Sequence, residues 1–379
     1  MTIAERPPPG IWSARHRRGS DAVVSRFAGR PPCRAGRAAV SGDDIIGRGA
    51  APPRVRVIII NYNAGAYLWR CVDALLAQTM GDFEAVIVDN GSSDGSLDKL
   101  PADPRLRVDR AGCNLGFAAG NNRAAAGAPG AYIAFLNPDA IPLSDWLERL
   151  SAAADARADV ALFGSLQVQD DDPSLIDGAG DVYFFAGTAW RQGRGAPRGA
   201  AGGQYPVFGA CAAAALIRRD WFERLGGFDE DYFCYFEDVD LAFRLRVMGG
   251  TCLQVNDAVV RHAGSATTGA GSDFVLYHTT RNQIWTFLKA MPAPLLALLA
   301  PVHAALVLAK WLSAVRERRG HVVARAIRDA LGQFREVLVK RARLQRARRA
   351  PVLALAAAMT WSPSAFRGRS GPSGNADRA

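Results

Sequence analysis

The spacing of hydrophobic and polar positions changes several times along this chain of 379 residues, and each change marks an element. Val55-Arg56-Val57-Ile58-Ile59-Ile60-Asn61 is a β-branched run that ends in polar residues, the pattern of a buried parallel strand. From Tyr67 to Thr79, Leu68, Val72, Leu75 and Leu76 recur on one helical face. Ala85 to Asp89 predicts a second strand, with Asp94 placed to cap a short helix after it. Leu106-Arg107-Val108 predicts a third strand, Phe117 to Gly127 a helix, Tyr132 to Leu136 a fourth strand, and Pro142 to Ala156 a helix with an early proline. Strands alternating with helices imply an α/β fold with a doubly wound, mostly parallel sheet flanked by helices.

Beyond Val160 the rhythm weakens. Residues 160–204 are glycine-rich and predict short antiparallel strands. Asp220 is placed to cap a helix running through Leu225, and Glu237 to Met248 predicts another. Cys252 to Arg261 predicts a closing strand pair, and Ser272 to Met291 a long helix capped by Ser272 or Asp273. Pro292 to Ala309 is almost wholly apolar but falls short of the ~20 residues of a membrane span and holds Pro294, Pro301 and His303. With Arg316, Arg318 and Arg319 after it, the segment fits an interfacial or re-entrant element better than a span. Residues 320–349 predict one basic amphipathic helix. The expected organisation is a disordered basic tail over 1–53, a main domain over 54–290, a hydrophobic and basic helical extension over 291–362, and a disordered tail over 363–379.

Charge sharpens this picture. The formal net charge is +10, carried almost entirely by arginine, since Lys99, Lys289, Lys310 and Lys340 are the chain's lysines. The arginines concentrate at both ends, so the excess reads as a membrane-surface property rather than a nucleic-acid site. The basic C-terminal stretch also lacks interleaved aromatics, which argues against nucleic acid as a partner. None of the six cysteines forms a CxxC pair, and no continuous apolar core follows the N-terminus. Reduced thiols and no secretory signal are therefore expected.

Five segments carry candidate chemistry. Asp89-Asn90-Gly91-Ser92-Ser93-Asp94-Gly95 ends the second strand, where open α/β sheets bind ligands, although the same residues also suit an ordinary turn. Gly112 to Asn122 combines glycines with a helix start, so backbone can approach a ligand there. Asn137-Pro138-Asp139 follows the fourth strand; its carboxylate can hold a divalent cation, and its composition equally suits a turn. Gly226 to Asp240 crowds six acids among aromatics, an environment that desolvates carboxylates and raises their pKa. His262, at a strand end, is either structural or a metal ligand.

Taken in this order, the five segments resemble the family 2 glycosyltransferases of the GT-A fold over about Val55 to Gln283, most closely the bacterial rhamnosyltransferase-like branch. The resemblance implies an inverting enzyme that moves a sugar from a nucleotide-diphosphate donor, such as dTDP-rhamnose, onto a glycan or polyprenyl-diphosphate-linked acceptor in envelope polysaccharide synthesis. It implies that Asn61, Tyr62, Asn63, Asp89, Asn90, Gly91, Ser92, Gly116, Asn122 and Asn137 contact the donor. Asp139 and His262 are implied to hold Mg²⁺ or Mn²⁺, with Asn137 standing where the family's first metal-motif acid is found. Asp238 is implied as general base with Glu237 beside it, while Asp240 supports the helix. Asp229, Tyr277 and Arg281 are implied contacts for acceptor or diphosphate.

The expected location is the cytoplasmic face of the plasma membrane, held peripherally by the C-terminal segment. Two alternatives use the same residues. A sugar nucleotidyltransferase would need a basic glycine-rich loop after the first strand, which Asn61-Tyr62-Asn63-Ala64-Gly65 does not supply. A non-catalytic nucleotide-sugar binder would tolerate loss of Asp139 or Asp238, and both are present.

Overall fold

A computed structural model describes residues 52–200, 202–264 and 271–367. Most of the tail expected over 1–53, Ser265, and the last twelve residues, 368–379, lie outside the described residues. Among these residues the main sheet has ten strands, in the order β10 (Gln204–Pro206), β12 (Cys252–His262), β6 (Leu162–Gln169), β11 (Ala214–Arg218), β4 (Tyr132–Leu136), β1 (Val55–Asn61), β2 (Phe83–Asp89) and β3 (Leu106–Arg110), with β5 (Ala140–Pro142) beside β12 and β7 (Ile176–Gly178) beside β6. Its first half is the parallel set read in the sequence: β1 (Val55–Asn61), β2 (Phe83–Asp89), β3 (Leu106–Arg110) and β4 (Tyr132–Leu136). In the other half, β11 (Ala214–Arg218) runs antiparallel between β4 and β6 (Leu162–Gln169), and β6 pairs in parallel with β12 (Cys252–His262).

The unbroken apolar run of β1 follows from burial on both faces. Val55, Val57 and Ile59 enter one core with α1 (Ala66–Leu76) and α3 (Trp146–Ala156). Ile58 and Ile60 enter a second core with α2 (Gly116–Ala125), α4 (Arg219–Leu225) and α5 (Glu237–Val247). Successive residues of a strand face opposite sides, so a run with no polar alternation requires cover on both.

Several elements differ from the sequence reading. Pro142 ends the short strand β5 (Ala140–Pro142) rather than opening a helix, and α3 begins at Trp146. Its early amide at Leu147 is met from outside by Gln78 Oε1 at 2.9 Å, a long-range cap with no local signature. No helix follows Asp94, whose carboxylate instead accepts from the amides of Gly65 (2.7 Å) and Ser96 (3.0 Å). Asp220 lies in the first turn of α4 without capping it and pairs with Arg224 at 3.2 Å. Residues 252–262 form one strand with an irregularity between Val255 and Val259, not a strand pair. The glycine-rich excursion contributes β7 (Ile176–Gly178), the hairpin β8 (Asp181–Phe184) and β9 (Thr188–Arg191), and β10 (Gln204–Pro206).

At the C-terminus, α6 (Asp273–Ala290) is capped by Ser272, whose hydroxyl accepts from Val275 N. The apolar segment judged too short becomes one helix of 24 residues, α7 (Ala293–Arg316), with Pro301 inside it. By length and composition α7 could cross a membrane. The basic stretch is two helices, α8 (Gly320–Gly332) and α9 (Phe334–Arg346), broken after Gly332. The chain continues through α10 (Val352–Ala358) to a short helix, α11 (Pro363–Arg367), in a region read as disordered. A third apolar cluster, including Tyr183, Phe243, Phe287, Leu299, Leu344 and Leu355, ties these helices to β8 and α5.

Candidate functional site

The parallel register sets Asn61 directly beside Asp89 at the carboxyl ends of β1 and β2. Asn61 Nδ2 lies 3.0 Å from Asp89 Oδ1, 3.0 Å from Ser92 Oγ and 2.9 Å from Ser96 Oγ. Asn63 takes a left-handed backbone (φ 52°), and its amide donates to Ser92 Oγ at 3.0 Å. Its side-chain Oδ1 accepts from Ser93 N at 2.9 Å. Asn90 Nδ2 donates to the carbonyl of Gly116 at 3.1 Å, joining this turn to the start of α2. Asn61, Asn63, Asp89, Asn90 and Ser92 thus form one hydrogen-bonded cradle at the strand ends, with Gly91 and half-buried Tyr62 among them. Asn122 is placed differently. Its amide donates to Phe228 O (2.8 Å) and to Glu230 (3.0 Å), and its Oδ1 accepts from Phe228 N (2.8 Å), so the side chain is spent on the turn before α5.

A second centre forms where β5 pairs with β12. His262 stands opposite Ala140, which brings its Nε2 to 3.4 Å from Asp139 Oδ1. On the other side of the ring, Nδ1 lies 2.8 Å from Asp177 Oδ2. Burial works against a charged imidazole, but the nearby Asp139 and Asp177 carboxylates outweigh it and hold His262 above its ordinary pKa. Asp177 is itself pulled down to about 2: burial opposes ionisation, but the His262 bond and the Arg191 charge prevail. Among the described residues no three acidic, histidine or cysteine side chains converge as a metal cluster.

The Asp139–His262 pair nevertheless fits a cation whose remaining positions come from phosphate and water. Ligand atoms about 2.1 Å from one ion lie about 3.0–3.4 Å apart. His262 Nε2 has no hydrogen-bond partner among the described residues, while a carboxylate orients the opposite ring nitrogen, as it does for metal-bound imidazoles.

The third centre is the start of α5. Glu237 is buried, and burial first, then the neighbouring Asp238 charge, pushes its carboxyl well above the usual range. Half-buried Asp238 accepts from Ala212 N at 3.3 Å and from its own neighbour Val239 N at 2.8 Å. Ala213, the next residue, accepts from Asn137 N at 2.8 Å. One dipeptide therefore joins the Asn137-Pro138-Asp139 turn to Asp238, residues about a hundred positions apart in the chain. Asp240 has a different environment: Arg244 and Lys289 each pair with it at 2.7 Å, and Tyr232 OH donates to it at 3.0 Å.

The loop into α5 is strained. Phe233, Tyr235 and Phe236 all have positive φ, between 63° and 69°, a conformation that costs non-glycine residues on the order of 1–3 kcal/mol each. Its surroundings hold it. Asn282 Nδ2 donates to the carbonyls of Tyr232, Cys234 and Tyr235 at 2.7–3.0 Å, and Arg281 donates to those of Asp231 and Tyr232. Phe233 O in turn accepts from Phe117 N (2.7 Å) and Ala118 N (3.2 Å), satisfying the first amides of α2. Gly116 makes this approach possible, since a Cβ there would sit 2.6 Å from Phe233 O.

Arg281 therefore braces backbone, while Tyr277 OH donates to Asp329 on α8 at 2.7 Å. Asp229 binds Lys289 at 2.6 Å and also Lys340. Those two lysines hold its carboxyl far below the usual range against the opposing effect of burial. Arg281 and Asp229 thus join the C-terminal helices to the loop, and Tyr277 joins α6 to α8.

Three residues near these centres carry no signal in the sequence: Asp177, described above, Arg191 and Asp181. Arg191 pairs with Asp177 and lies 3.4 Å from His262 Nδ1. Asp181 is buried near Asp238, and burial, then the Asp238 charge, pushes it up to about 8. A lone acid and a lone arginine in a glycine-rich stretch carry no local signal; only a pairing of β8 with β9 would have suggested them.

Comparison with known proteins follows the same lines. The family model described as glycosyl transferase family 2 matches residues 56–226. The chain is 30% identical over 242 residues to the N-acetylglucosaminyl-diphospho-decaprenol L-rhamnosyltransferase of Mycobacterium tuberculosis, covering 56% of this chain and 77% of that protein. It is 32% identical over 209 residues to an O-antigen biosynthesis protein of Myxococcus xanthus, covering 52% of this chain and 16% of that protein. Among solved structures, GalNAc-T7 with UDP, GalNAc and Mn²⁺ matches with a TM-score of 0.51 at 17% identity, over 63% of this chain and 50% of that one. This likeness concerns the fold.

Proposed function

The chain belongs to glycosyl transferase family 2, and from that membership we propose that it is an inverting transferase moving a sugar from a nucleotide-diphosphate donor onto a lipid-linked saccharide. The observation that carries this reading is the Ala212-Ala213 dipeptide, which binds Asp238 on one side and the Asn137-to-Asp139 turn on the other. The residue proposed to take the acceptor proton thus stands beside the segment proposed to face the diphosphate. A donor sugar between them would meet both groups, as an in-line displacement requires.

In this mechanism the Asn61–Asp89–Ser92 cradle receives the nucleoside, with a nucleobase N–H donating to Asp89. Asp238 accepts the proton of an acceptor hydroxyl as its oxygen attacks the anomeric carbon from the face opposite the nucleotide. The configuration inverts and no covalent enzyme intermediate forms. Mg²⁺ or Mn²⁺ bound at Asp139 and His262 would supply charge neutralisation for the departing diphosphate. Glu237, buried and pushed toward its neutral form, is suited to donate a hydrogen bond to an acceptor hydroxyl. The mycobacterial relative's name favours rhamnose as the sugar moved and a polyprenyl-diphosphate-linked sugar as acceptor; dTDP as the carrier nucleotide rests on the family resemblance alone.

A lipid-linked acceptor suits the C-terminal helices, and we place the protein peripherally on the cytoplasmic face of the plasma membrane. Leu298, Val302, Leu308, Leu312 and Val315 are exposed along one stripe of α7, and exposed Arg316 and Arg318 follow. The opposite side of the same helix is attached to the protein near its middle. His303 Nδ1 lies 2.8 Å from Ala186 O, and the ring stacks on Phe287 at 4.0 Å between centroids. A helix crossing the bilayer would carry those contacts to mid-depth in hydrocarbon, whereas one lying in the interface keeps them.

Thermal unfolding with UDP-, dTDP- and GDP-sugars, each with and without Mn²⁺, tests the reading, because binding to the folded state raises Tm. A metal-dependent rise with one nucleotide class supports it. No rise with any of them, in the presence of a polyprenyl-diphosphate acceptor, overturns it.

A further inference from the structure

His262 and Asp177 are brought together across two strand pairings. His262 of β12 stands opposite Gln169 of β6, and Val168 of β6 stands opposite Ile176 of β7. The register of β6 against β7 shifts at this point, between Gln167 and Val168. Asp177, the middle residue of β7, thereby comes within reach of the imidazole, its Oδ2 2.8 Å from Nδ1. Both side chains are buried, Asp177 at 4% exposure and His262 at 3%.

An ionised carboxylate accepts and does not donate, so at that distance Nδ1 carries the hydrogen. Arg191 Nη1 lies 3.4 Å from the same nitrogen but cannot donate to a nitrogen already protonated. It donates to Asp177 Oδ2 instead. The stem of Arg191 passes over Gly178, where a Cβ would sit 3.0 Å from Arg191 Cδ, so a side chain at that position would push the guanidinium off Asp177. With Nδ1 protonated, the lone pair falls to Nε2, which has no hydrogen-bond partner among the described residues and stands 3.4 Å from Asp139 Oδ1. Two buried acceptor atoms that close are stable only with a positive group between them.

Resting on the reading of Asp139 and His262 as cation ligands, we propose that Asp177 is a positioning residue for the divalent cation. It keeps the hydrogen on Nδ1, so that the Nε2 lone pair points toward Asp139, and Arg191 in turn holds Asp177 in place. Asp177 stands on the far side of the ring from Asp139 and acts on the ion through the imidazole alone. A carboxylate in that place fixes the ring's orientation and makes its ligating nitrogen more basic. The ion pairs of Asp177 with Arg191 and with Arg194, the latter at 3.6 Å, need no imidazole. If Asp177 served those arginines alone, its loss would lower stability and leave cation affinity intact.

The test is Mn²⁺ affinity, read by electron paramagnetic resonance without turnover, for Mn²⁺ alone and with UDP or dTDP. Asp177→Ala should weaken binding about tenfold to a hundredfold. Asp177→Asn, whose amide oxygen can accept the same Nδ1–H, should recover part of that loss. An affinity in Asp177→Ala within about threefold of wild type overturns the proposal. His262→Ala separates the two readings. If it binds Mn²⁺ as the wild type does, the cation site itself fails and the proposal with it. If it weakens binding and Asp177→Ala does not, the proposal alone fails.

If Asp177→Ala does not fold, ¹⁵N-histidine NMR of the wild type decides, with Cd²⁺ as a diamagnetic stand-in for Mn²⁺. Of the chain's five histidines, His262 is assigned as the signal lost in His262→Ala. Added Cd²⁺ should shift its Nε2 and leave the hydrogen on Nδ1. A metal shift at Nδ1, no shift at Nε2, or an unprotonated Nδ1 before metal is added overturns the proposal.

Discussion

Gly116→Ala probes the contact that joins the donor cradle to the base. Gly116 has φ 80°, and an added Cβ would sit 2.5 Å from the Phe233 ring and 2.6 Å from Phe233 O. The left-handed backbone costs alanine about 1–2 kcal/mol, and forcing a methyl against fixed atoms adds about 1–3 kcal/mol. Phe233 cannot retreat freely, because its carbonyl holds two α2 amides and its loop is pinned by Asn282. The expected loss is therefore about 3 kcal/mol, roughly 5–10 °C in Tm by calorimetry. Displacing Phe233 also moves the loop into Glu237 and Asp238, so kcat should fall by about tenfold to a hundredfold. Gly112→Ala is the control: its φ is 73°, but an added Cβ meets nothing within 4 Å. It should lose only about 1–2 kcal/mol and keep kcat. Equal losses in the two variants would refute the clash at Phe233.

Further outcomes follow from the other contacts. Lys289→Met leaves Asp229 and Asp240 each short of a buried partner, so denaturant unfolding should show a loss of about 3–5 kcal/mol, partly restored by adding Asp229→Asn. Asp139→Ala should weaken Mn²⁺-dependent nucleotide binding more than about tenfold by calorimetry, and unchanged Mn²⁺ dependence would remove Asp139 from the cation site. Leu298→Glu, Leu308→Glu and Leu312→Glu together should abolish flotation with anionic vesicles. Alkaline carbonate should release the wild-type protein; retention would mean that α7 crosses the bilayer.

How far the sequence could be read depended on whether a feature was local. The runs at Val55 to Asn61 and Ala85 to Asp89 are buried strands at the expected positions, because cover on both faces demands uninterrupted apolar residues. The acid-rich start of α5 was legible for the same reason, since its acids and aromatics lie within a few positions of each other. What was missed depends on distant partners. Asn122 looked like a ligand contact because nothing near it shows that Phe228 takes both ends of its amide. Asp177 meets His262 from 85 positions away. The start of α3 moved past Pro142 because β12 takes Ala140 to Pro142 as a strand. The length of α7 was underrated because its apolar stretch was ended at Ala309, whereas Lys310 and Trp311 continue the helix.

Paired measurements on Asp238→Asn test the central claim most directly: transfer from the nucleotide-sugar and affinity for that donor. The side chain keeps its shape and loses its basicity, so transfer should fall on the order of a thousandfold or more while donor affinity stays unchanged. Retained transfer, or loss of donor binding in a folded variant, would contradict the assignment of Asp238 as the base that acts on the acceptor.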